Sequence, residues 1–359
     1  MEEQNLIFLF SCFFFLLPLL SDIQGVQGSY FGHDHRHGGG GVYGFHPKKL
    51  FVFGDSYADT GNLPKSFADW QVPYGITFPG KPDGHFSDGR VLTEFLAKYL
   101  GLKSPVPYAM RKNKPKLARY GMNFAYGGTG VFNTTVAPGE PNMTAQIDFF
   151  QELLKESACR KSQLESSLSL VTVSGNDYST YLAEGGSAQG APTFVARVVN
   201  QTAVNLKRIH DLGVRKVAVA AIEPLGCLPK VTFVSSFQTC NETSNSLAIL
   251  HNKLLQQAVA ELNSECKDSG AFIILDLYDA FYSVLNHKEA TVKFESPILK
   301  PCCFGTSIGY DCGSLNAKGE KMYTLCDNPN ATFFWDSFHP TQAGWRVVFF
   351  YLKSKFEKS

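Results

Sequence analysis

The chain has 359 residues, of which 44% are hydrophobic and 18% are charged. This composition excludes an intrinsically disordered or collagen-like chain and argues against a polytopic membrane protein. Lys and Arg number 33 and Asp and Glu number 32, which gives a net charge of +1. The chain therefore lacks the overall basic charge that nucleic-acid binding requires, and we expect no nucleic-acid partner.

The N-terminus has the features of a secretory signal peptide. Residues 6–20 form an apolar run, interrupted by Ser11, that is too short for an ordinary membrane span but has the length of a signal-peptide core. The small residues Gly25 and Gly28 follow as candidate cleavage positions. We expect residues 1–28 to be removed, leaving a secreted protein without a transmembrane anchor.

Residues 29–47 are rich in Gly and His and show no apolar periodicity. They predict a flexible leader ahead of the folded domain. The alternating His33, His35 and His37 could bind a divalent metal loosely, but a solvated tail is the simpler interpretation, so we assign no metal site.

Cysteine usage agrees with a secretory route. Of nine cysteines, Cys12 lies in the apolar run, which leaves an even set of eight. Their spacing favours a pair between Cys227 and Cys240 and a cross-linked loop within residues 302–326, while the remaining pairing stays open. The spacing is not that of a zinc site, so we expect no metal.

The sequence contains five Asn-X-Thr sequons, which in a secreted chain predict surface glycosylation. Any single match can arise by chance, but five of them agree with the signal peptide and the even cysteine set. The sequons begin at Asn133, Asn142, Asn200, Asn241 and Asn330.

Apolar runs and amphipathic segments predict the fold. Runs at 50–53, 168–173, 217–222 and 272–275 have the length of buried strands, and segments 193–212, 246–267 and 342–356 have the length of helices. Alternating strands and helices indicate a mostly parallel sheet with helices on both faces. Because no linker or repeat divides this part, we expect one doubly wound three-layer α/β/α domain over residues 48–359.

In such sheets, ligands bind at the carboxyl ends of the strands, so polar residues directly after the apolar runs are candidate site residues. Ser56 follows the first run after Gly54, which allows a turn. Its hydroxyl is either the N-cap of a following helix, whose N-terminus would favour negative charge, or a nucleophile. Asn176 follows the second run, and its amide either stabilises an oxyanion or forms an Asx-turn.

Two further segments carry candidate groups. Asp336 and His339 are three residues apart, so in a helical turn they share a face, and the carboxylate can hold the imidazole in the tautomer of a general base. Residues 120–130 contain four glycines without the spacing of a dinucleotide or phosphate loop. This segment is either an ordinary loop or one whose backbone N–H groups, at Gly127 or Gly128, approach a ligand closely.

These segments, taken in chain order, resemble the SGNH hydrolases of the GDSL esterase/lipase family, in particular its plant branch. The resemblance covers almost the whole mature chain. It rests on FVFGDSYADTGN (51–62), DGHFSDGR (83–90), NFAYGGTG (123–130), SGND (174–177), EPLGCLP (223–229) and FWDSFHPTQAGW (334–345). Tyr57 stands where the family name implies Leu, a departure that should affect local packing more than chemistry.

The resemblance implies a flavodoxin-like SGNH fold and assigns roles to the candidate residues. Ser56 corresponds to the nucleophile, and His339 to the general base and then the general acid, oriented by Asp336. No cofactor is implied.

The family's oxyanion hole implies three donors in this chain. They are the backbone N–H of Ser56, a glycine N–H and the amide of Asn176. Gly128 is favoured over Gly127 because in similar enzymes the glycine lies about five residues after the asparagine that corresponds to Asn123.

The expected function is that of a secreted serine esterase or lipase that acts on carboxylic esters in the apoplast or cell wall. Lipids, acetylated polysaccharides and small plant esters all fit as substrates. One alternative is an acyltransferase that hands the same acyl-enzyme to an acceptor hydroxyl. Another is a non-catalytic binding protein on this fold, which the intact triad disfavours. The sequence does not indicate an oligomeric state.

Overall fold

The computed structural model of the protein describes residues 40–113, 119–156, 161–266, 268, 270–286 and 293–357. The predicted signal peptide, residues 1–28, and residues 29–39 of the predicted leader lie outside the described residues.

The strands in this part of the chain are β1 (Lys49–Phe53), β2 (Val106–Pro107), β3 (Gly121–Asn123), β4 (Ser167–Val171), β5 (Lys216–Ala220), β6 (Phe272–Leu275), β7 (Cys303–Gly305) and β8 (Tyr323–Leu325). The helices are α1 (Leu92–Tyr99), α2 (Met143–Lys155), α3 (Lys161–Leu164), α4 (Asn176–Ala183), α5 (Ala191–Asp211), α6 (Pro229–Thr232), α7 (Glu242–Glu265), α8 (Leu277–Leu285) and α9 (Gln342–Phe356). The predicted strands and helices correspond to β1, β4, β5, β6, α5, α7 and α9.

Strands β1 to β6 form one sheet in the order β2-β3-β1-β4-β5-β6, and every pairing in it is parallel. From β1 the chain runs to β2 and β3 on one side and then to β4, β5 and β6 on the other. The strand order therefore reverses beside β1, where doubly wound folds place their ligand crevice. Without the two-residue β2, the order is that of a flavodoxin-like sheet, so the predicted fold class is confirmed.

Alternate residues of each strand face opposite sides of the sheet, and both sides are buried. Leu50 and Val52 pack with α1, α8 and α9, whereas Phe51 and Phe53 pack with α2, α5 and α7. Because both faces are covered, the main strands read as continuous apolar runs, which is why the sequence reveals them. Burying each such side chain contributes about 1.5–3 kcal/mol of transfer free energy.

The short strand β3 was not predicted. It lies in the glycine-rich segment that the sequence presents as a possible loop, and it ends at the polar Asn123. Asn123 nevertheless sits in the sheet, because its side chain donates to the carbonyl of Ala58 and to the hydroxyl of Thr60, and its exposed fraction is 0%. Three residues without an apolar run carry too little pattern to indicate a strand.

Residues 40–47 of the predicted leader are packed against the domain, so this part of the flexible-leader prediction is wrong. Gly40 N–H donates to the carbonyl of Tyr99, and the Tyr99 hydroxyl donates to the carbonyl of Gly41. Val42 is buried. Burial of Val42 and Pro47, the packing of Phe45 against the core and the hydrogen bonds to α1 fix a segment whose Gly and His content is typical of a flexible chain.

Three disulfides link cysteines among the described residues. Cys227 pairs with Cys240 as predicted, and the predicted loop at 302–326 is cross-linked by Cys302–Cys326 and Cys303–Cys312. Cys159 lies outside the described residues, and Cys266 forms no disulfide with a described cysteine.

Within the described ranges, no helix combines the length and the apolar character that crossing a bilayer demands.

Candidate active site

Ser56 lies in a tight turn directly after β1. Gly54, with a φ of 126°, starts this turn, and a Cβ there would come within 2.3 Å of the carbonyl oxygen of Thr172. The N–H groups of Ala58 and Asp59 both donate to the carbonyl of Asp55, which closes a single turn that no helix continues. Of the two roles that the sequence leaves open for Ser56, that of a helix N-cap is therefore wrong, because no helix begins at its position.

The Asp55 carboxylate fastens this turn to the end of β4. Its Oδ1 accepts from the Tyr57 N–H at 3.2 Å and from the Thr172 hydroxyl at 2.8 Å. Its Oδ2 accepts from the N–H of Ser174 at 2.5 Å and from the Ser174 hydroxyl at 2.7 Å. Burial raises the pKa of Asp55, and the hydrogen bonds from Ser174 and Thr172 oppose that shift. Asp55 thus holds together the two strand ends that flank the crevice.

The structure brings Ser56, His339 and Asp336 into one hydrogen-bonded row. His339 Nε2 lies 2.8 Å from Ser56 Oγ, and His339 Nδ1 lies 2.8 Å and 2.9 Å from the two carboxyl oxygens of Asp336. All three residues are buried. This arrangement places an imidazole nitrogen where it can accept the serine proton and a carboxylate where it fixes the ring tautomer.

Asp336 is stabilised as a carboxylate. Its Oδ1 also accepts from the N–H groups of Phe338 and His339, each at 2.9 Å, which folds residues 336–339 into a tight turn. Burial alone would raise the pKa of Asp336, but the electrostatic interaction with His339 and the hydrogen bonds from His339, Phe338 and Tyr74 outweigh it and lower the pKa. The carboxylate is therefore ionised and oriented.

The disulfide-linked hairpin of β7 and β8 supports this segment from behind. The N–H groups of Cys302 and Cys303 donate to the carbonyls of Phe334 and Trp335 at 2.9 Å and 2.7 Å. On the other side, the Ser87 hydroxyl of the DGHFSDGR block donates to the carbonyl of Pro340 at 3.0 Å. The segment that carries Asp336 and His339 is thus held at both ends.

The two candidate N–H groups of the glycine-rich segment differ in whether they already have a hydrogen-bond partner. Gly127 N–H donates to Asp59 Oδ2 at 3.0 Å, whereas Gly128 N–H has no hydrogen-bond partner among the described residues. Gly128 has a φ of 74° and lines the same cavity as Ser56. Burial raises the pKa of Asp59 to about 6. Gly128 is therefore the glycine whose N–H is available to a ligand.

Each of the other two predicted donors also has an N–H without a hydrogen-bond partner among the described residues. The backbone N–H of Ser56 has no partner in the part of the chain that the structure describes. Asn176 is the first residue of α4, and its amide donates one hydrogen bond, at 3.0 Å, to the carbonyl of Thr129. A side-chain amide has two N–H donors, so the second remains available for the cavity that Asn176 lines.

Gln146 of α2 supports these donors from below the crevice, and the sequence did not single it out. Its amide oxygen accepts from Gly54 N–H at 2.7 Å, and its amide nitrogen donates to the carbonyl of Gly54 at 2.9 Å and to the Thr129 hydroxyl at 3.2 Å. The residue is fully buried. One glutamine thereby ties the turn that carries Ser56 to the residue that holds the Asn176 amide.

Two tyrosines also contact the segment that carries His339. The Tyr74 hydroxyl donates to Asp336 Oδ2 at 2.8 Å, and the Tyr57 hydroxyl donates to the carbonyl of Phe338 at 2.9 Å. Tyr57, which stands where the family name implies Leu, therefore makes a polar contact as well as a packing contact. Neither contact carries a sequence signal, because each joins residues that lie more than 250 positions apart.

A cavity of about 470 Å³ opens over these groups. Ser56, Gly128, Asn176 and His339 are among the residues that contribute polar atoms to it. Its other walls are largely apolar and include Phe67, Val136, Leu182, Leu225, Leu228, Val231, Leu247 and Phe338. A mostly apolar cavity with a few convergent polar groups is typical of a small-molecule site.

Comparison with known proteins agrees with this geometry. The family model described as GDSL-like Lipase/Acylhydrolase matches residues 50–352. A GDSL esterase/lipase of Arabidopsis thaliana is 54% identical over 99% of this chain and 98% of its own length. A second from the same plant is 50% identical over 93% of this chain and 94% of its own.

A more distant relative carries a more specific name. Acetylajmalan esterase 2 of Rauvolfia serpentina is 32% identical over 84% of this chain and 88% of its own length. From the family match and these relatives, the chain belongs to the GDSL-like lipase/acylhydrolase family and is a carboxylic ester hydrolase.

Proposed function

We propose that the protein hydrolyses its ester through an acyl-enzyme on Ser56, with His339 and Asp336 completing a catalytic triad. The observation that carries this proposal is the row of hydrogen bonds that runs from Asp336 through His339 to Ser56, with each link between 2.8 and 2.9 Å.

In the acylation step, Ser56 Oγ attacks the ester carbonyl carbon while its proton passes to His339 Nε2. The carbonyl π electrons move to oxygen and form a tetrahedral oxyanion. When the intermediate collapses, the C–O bond to the alcohol breaks and His339 gives its proton to the leaving alkoxide oxygen. A water molecule then repeats the sequence on the acyl-enzyme, releasing the acid and returning the proton to Ser56.

The oxyanion would be held by three donors set in place before the reaction. These are the N–H groups of Ser56 and Gly128 and the second amide N–H of Asn176. The two backbone donors are free of other hydrogen bonds in the described chain. Donors that need no reorganisation are worth most in a site from which water is excluded.

The test is turnover of Ser56→Ala beside the wild type on p-nitrophenyl esters from acetyl to palmitoyl. Loss of the nucleophile should lower kcat by about four to six orders of magnitude. Ser354→Ala, which changes an exposed serine of α9, is the matched control and should retain wild-type turnover. Mass spectrometry after treatment with a fluorophosphonate should find the adduct on Ser56. Near-normal turnover of Ser56→Ala would contradict the proposal.

The same ester series sorts the substrate class. The largely apolar cavity of about 470 Å³ has room for a small ester. The name of the relative acetylajmalan esterase 2 also indicates a small ester as that enzyme's substrate. Activity that falls as the acyl chain lengthens would identify a small-acyl esterase, directed at acetylated sugars or small plant esters. Activity that rises with chain length would identify a lipase.

We also propose that the protein is secreted to the apoplast or cell wall as a glycoprotein after cleavage of residues 1–28. Three disulfides support an oxidising compartment. The sequon asparagines Asn133, Asn200, Asn241 and Asn330 are exposed and Asn142 is half-buried. Expression in plant cells should yield protein in the medium, with a new N-terminus near Gly25 or Gly28 and a mass that falls on enzymatic deglycosylation. Retention of the full-length chain inside the cell would contradict this route.

A further inference from the structure

Glu223 is a buried acid beside the cavity, and the proposed mechanism does not use it. It follows β5 in the EPLGCLP block and lines the same cavity as Ser56 and His339. Its exposed fraction is 1%, and neither carboxyl oxygen has a hydrogen-bond partner among the described residues. A buried carboxyl group without donors is more stable as the neutral acid than as the anion.

The backbone ahead of Glu223 is fixed. Asn252 of α7 accepts from the Ile222 N–H and donates to the carbonyl of Ile222, both at 2.8 Å. The backbone next to Glu223 is therefore fixed, while its carboxyl oxygens have no hydrogen-bond partner among the described residues. Burial is the main cause that raises the pKa of Glu223 to about 8, and the charge of Asp55 adds to it.

Tyr57 is the neighbour through which Glu223 can reach the catalytic segment. Tyr57 and Glu223 line the same cavity, and burial, followed by the charge of the Glu223 carboxylate, raises the pKa of Tyr57 well above its ordinary value. The Tyr57 hydroxyl donates to the carbonyl of Phe338 at 2.9 Å. The Tyr57 and His339 rings form a T-shaped contact, with 5.9 Å between their centroids. Because Phe338 lies between Asp336 and His339, this hydrogen bond bears directly on the position of both.

A phenol hydroxyl has one proton to donate. With Glu223 neutral, that proton goes to the carbonyl of Phe338. A carboxylate is a stronger acceptor than a peptide carbonyl, so an ionised Glu223 would compete for the same proton.

We infer that Glu223 is a positioning residue that acts through Tyr57. As the neutral acid, it leaves the Tyr57 hydrogen bond on Phe338, and as the carboxylate it takes that bond and releases the segment that carries His339. This inference rests on the proposed triad, because only then does the position of that segment control turnover.

Other titratable side chains surround the cavity beside Glu223. Asp55 and Tyr57 face it from the turn after β1, and Asp336 and His339 lie across the cavity on the C-terminal segment. Tyr178 of α4 and Asp311 of the disulfide-linked loop line the remaining walls. No Lys or Arg among the described residues lines this cavity. No Lys or Arg side chain of this cavity therefore competes with the Tyr57 proton for an ionised Glu223.

The experiment measures kcat on p-nitrophenyl acetate from pH 6.5 to 9.5, after subtraction of the Ser56→Ala rate at each pH. The wild type should lose about five- to tenfold in kcat between pH 7 and pH 9, with a midpoint near pH 8. Glu223→Gln cannot ionise and should keep its own pH 7 value up to pH 9. Glu261→Gln, an exposed acid of α7, is the matched control and should retain the wild-type profile.

Tyr57→Phe supplies a second, independent readout. Without the hydroxyl, kcat at pH 7 should fall about five- to tenfold with KM changed less than about twofold, and the profile up to pH 9 should be flat. The wild-type value at pH 9 should approach that of Tyr57→Phe. A merely structural role would lower activity at every pH without removing the alkaline fall.

A wild-type profile that stays flat up to pH 9 would overturn the inference. So would an alkaline fall that persists in Glu223→Gln or in Tyr57→Phe. In either case, loss of activity in Ser56→Ala would still support the proposed triad, whereas near-normal activity of Ser56→Ala would contradict it.

Discussion

Tyr74 donates its hydroxyl hydrogen to Asp336 Oδ2 across 2.8 Å, although the two residues lie 262 positions apart in the chain. The hydroxyl joins the two N–H donors on Oδ1 and the imidazole of His339. Hydrogen bonds to a charged acceptor are about twice as strong as neutral ones. Tyr74 therefore fixes the orientation of the carboxylate that in turn orients His339.

Tyr74→Phe removes this hydrogen bond and keeps the ring. We expect kcat to fall about five- to tenfold with little change in KM, because the loss concerns the orientation of His339 and not substrate binding. Steady-state kinetics on p-nitrophenyl acetate measures the effect. Tyr351→Phe in α9 is the control, and an equal loss in that variant would refute the assignment.

Asn176→Ala tests the proposed oxyanion hole. Removal of one preorganised donor typically costs about two to three orders of magnitude in kcat. KM should change little, since the donor acts mainly on the charge that develops in the transition state. Asn113→Ala, at an exposed residue, is the matched control. A fall in kcat of less than about threefold would exclude the amide from this role.

Gln146→Ala tests the support beneath the crevice. The substitution leaves the buried N–H of Gly54 without its partner, whereas the Gly54 carbonyl still accepts from the Tyr126 N–H and the Thr129 hydroxyl. An unsatisfied buried polar group costs about 1–3 kcal/mol, so the free energy of unfolding should fall by about 1–3 kcal/mol. Urea unfolding measures the change, with the exposed Gln257→Ala as control. A loss below about 0.5 kcal/mol would show that the hydrogen bonds of Gln146 do not stabilise the fold.

Asp69 predicts a pH-dependent change in stability. It is fully buried, neither carboxyl oxygen has a partner among the described residues, and burial, followed by the charge of Asp59, raises its pKa from 3.8 to about 8. The folded protein therefore keeps a proton that the unfolded chain has lost. The contribution of Asp69 to stability is fully present below about pH 4 and disappears as the pH rises through about 8.

Asp69→Asn removes this dependence. Relative to the wild type, the variant should gain at least about 1 kcal/mol in the free energy of unfolding between pH 5 and pH 8.5. Asp327→Asn, an exposed acid, should show no such gain. The same difference between variant and wild type at both pH values would mean that Asp69 does not titrate in this range.

The sequence predicts the parts of the site that follow long apolar strands. Ser56 comes after β1 and Asn176 after β4, and parallel neighbours bring those strand ends to one edge of the sheet. His339 and Asp336 were found through a local spacing and a family resemblance. In each case the signal lies within a few residues of the functional group.

What the sequence could not predict depends on contacts between distant segments. Gln146, Tyr74 and Glu223 lie in different elements, and only the folded chain brings them to Ser56 and His339. No helix begins at Ser56, for a local reason. The Asp55 carboxylate accepts from the Tyr57 N–H and its carbonyl from the N–H groups of Ala58 and Asp59, and these bonds close a single turn. Hydrogen bonds of this kind produce no periodicity.

The distance along the chain between Ser56 and His339, 283 positions, has a consequence for biosynthesis. The proposed nucleophile lies in the turn after the first strand of the sheet, while its proposed base precedes α9. Under the proposed mechanism, a nascent chain that has not yet reached His339 therefore has an alcohol but no base to activate it. Chains that terminate before His339 would be hydrolytically silent, so activity would appear only after that residue has been added and the C-terminal segment has folded.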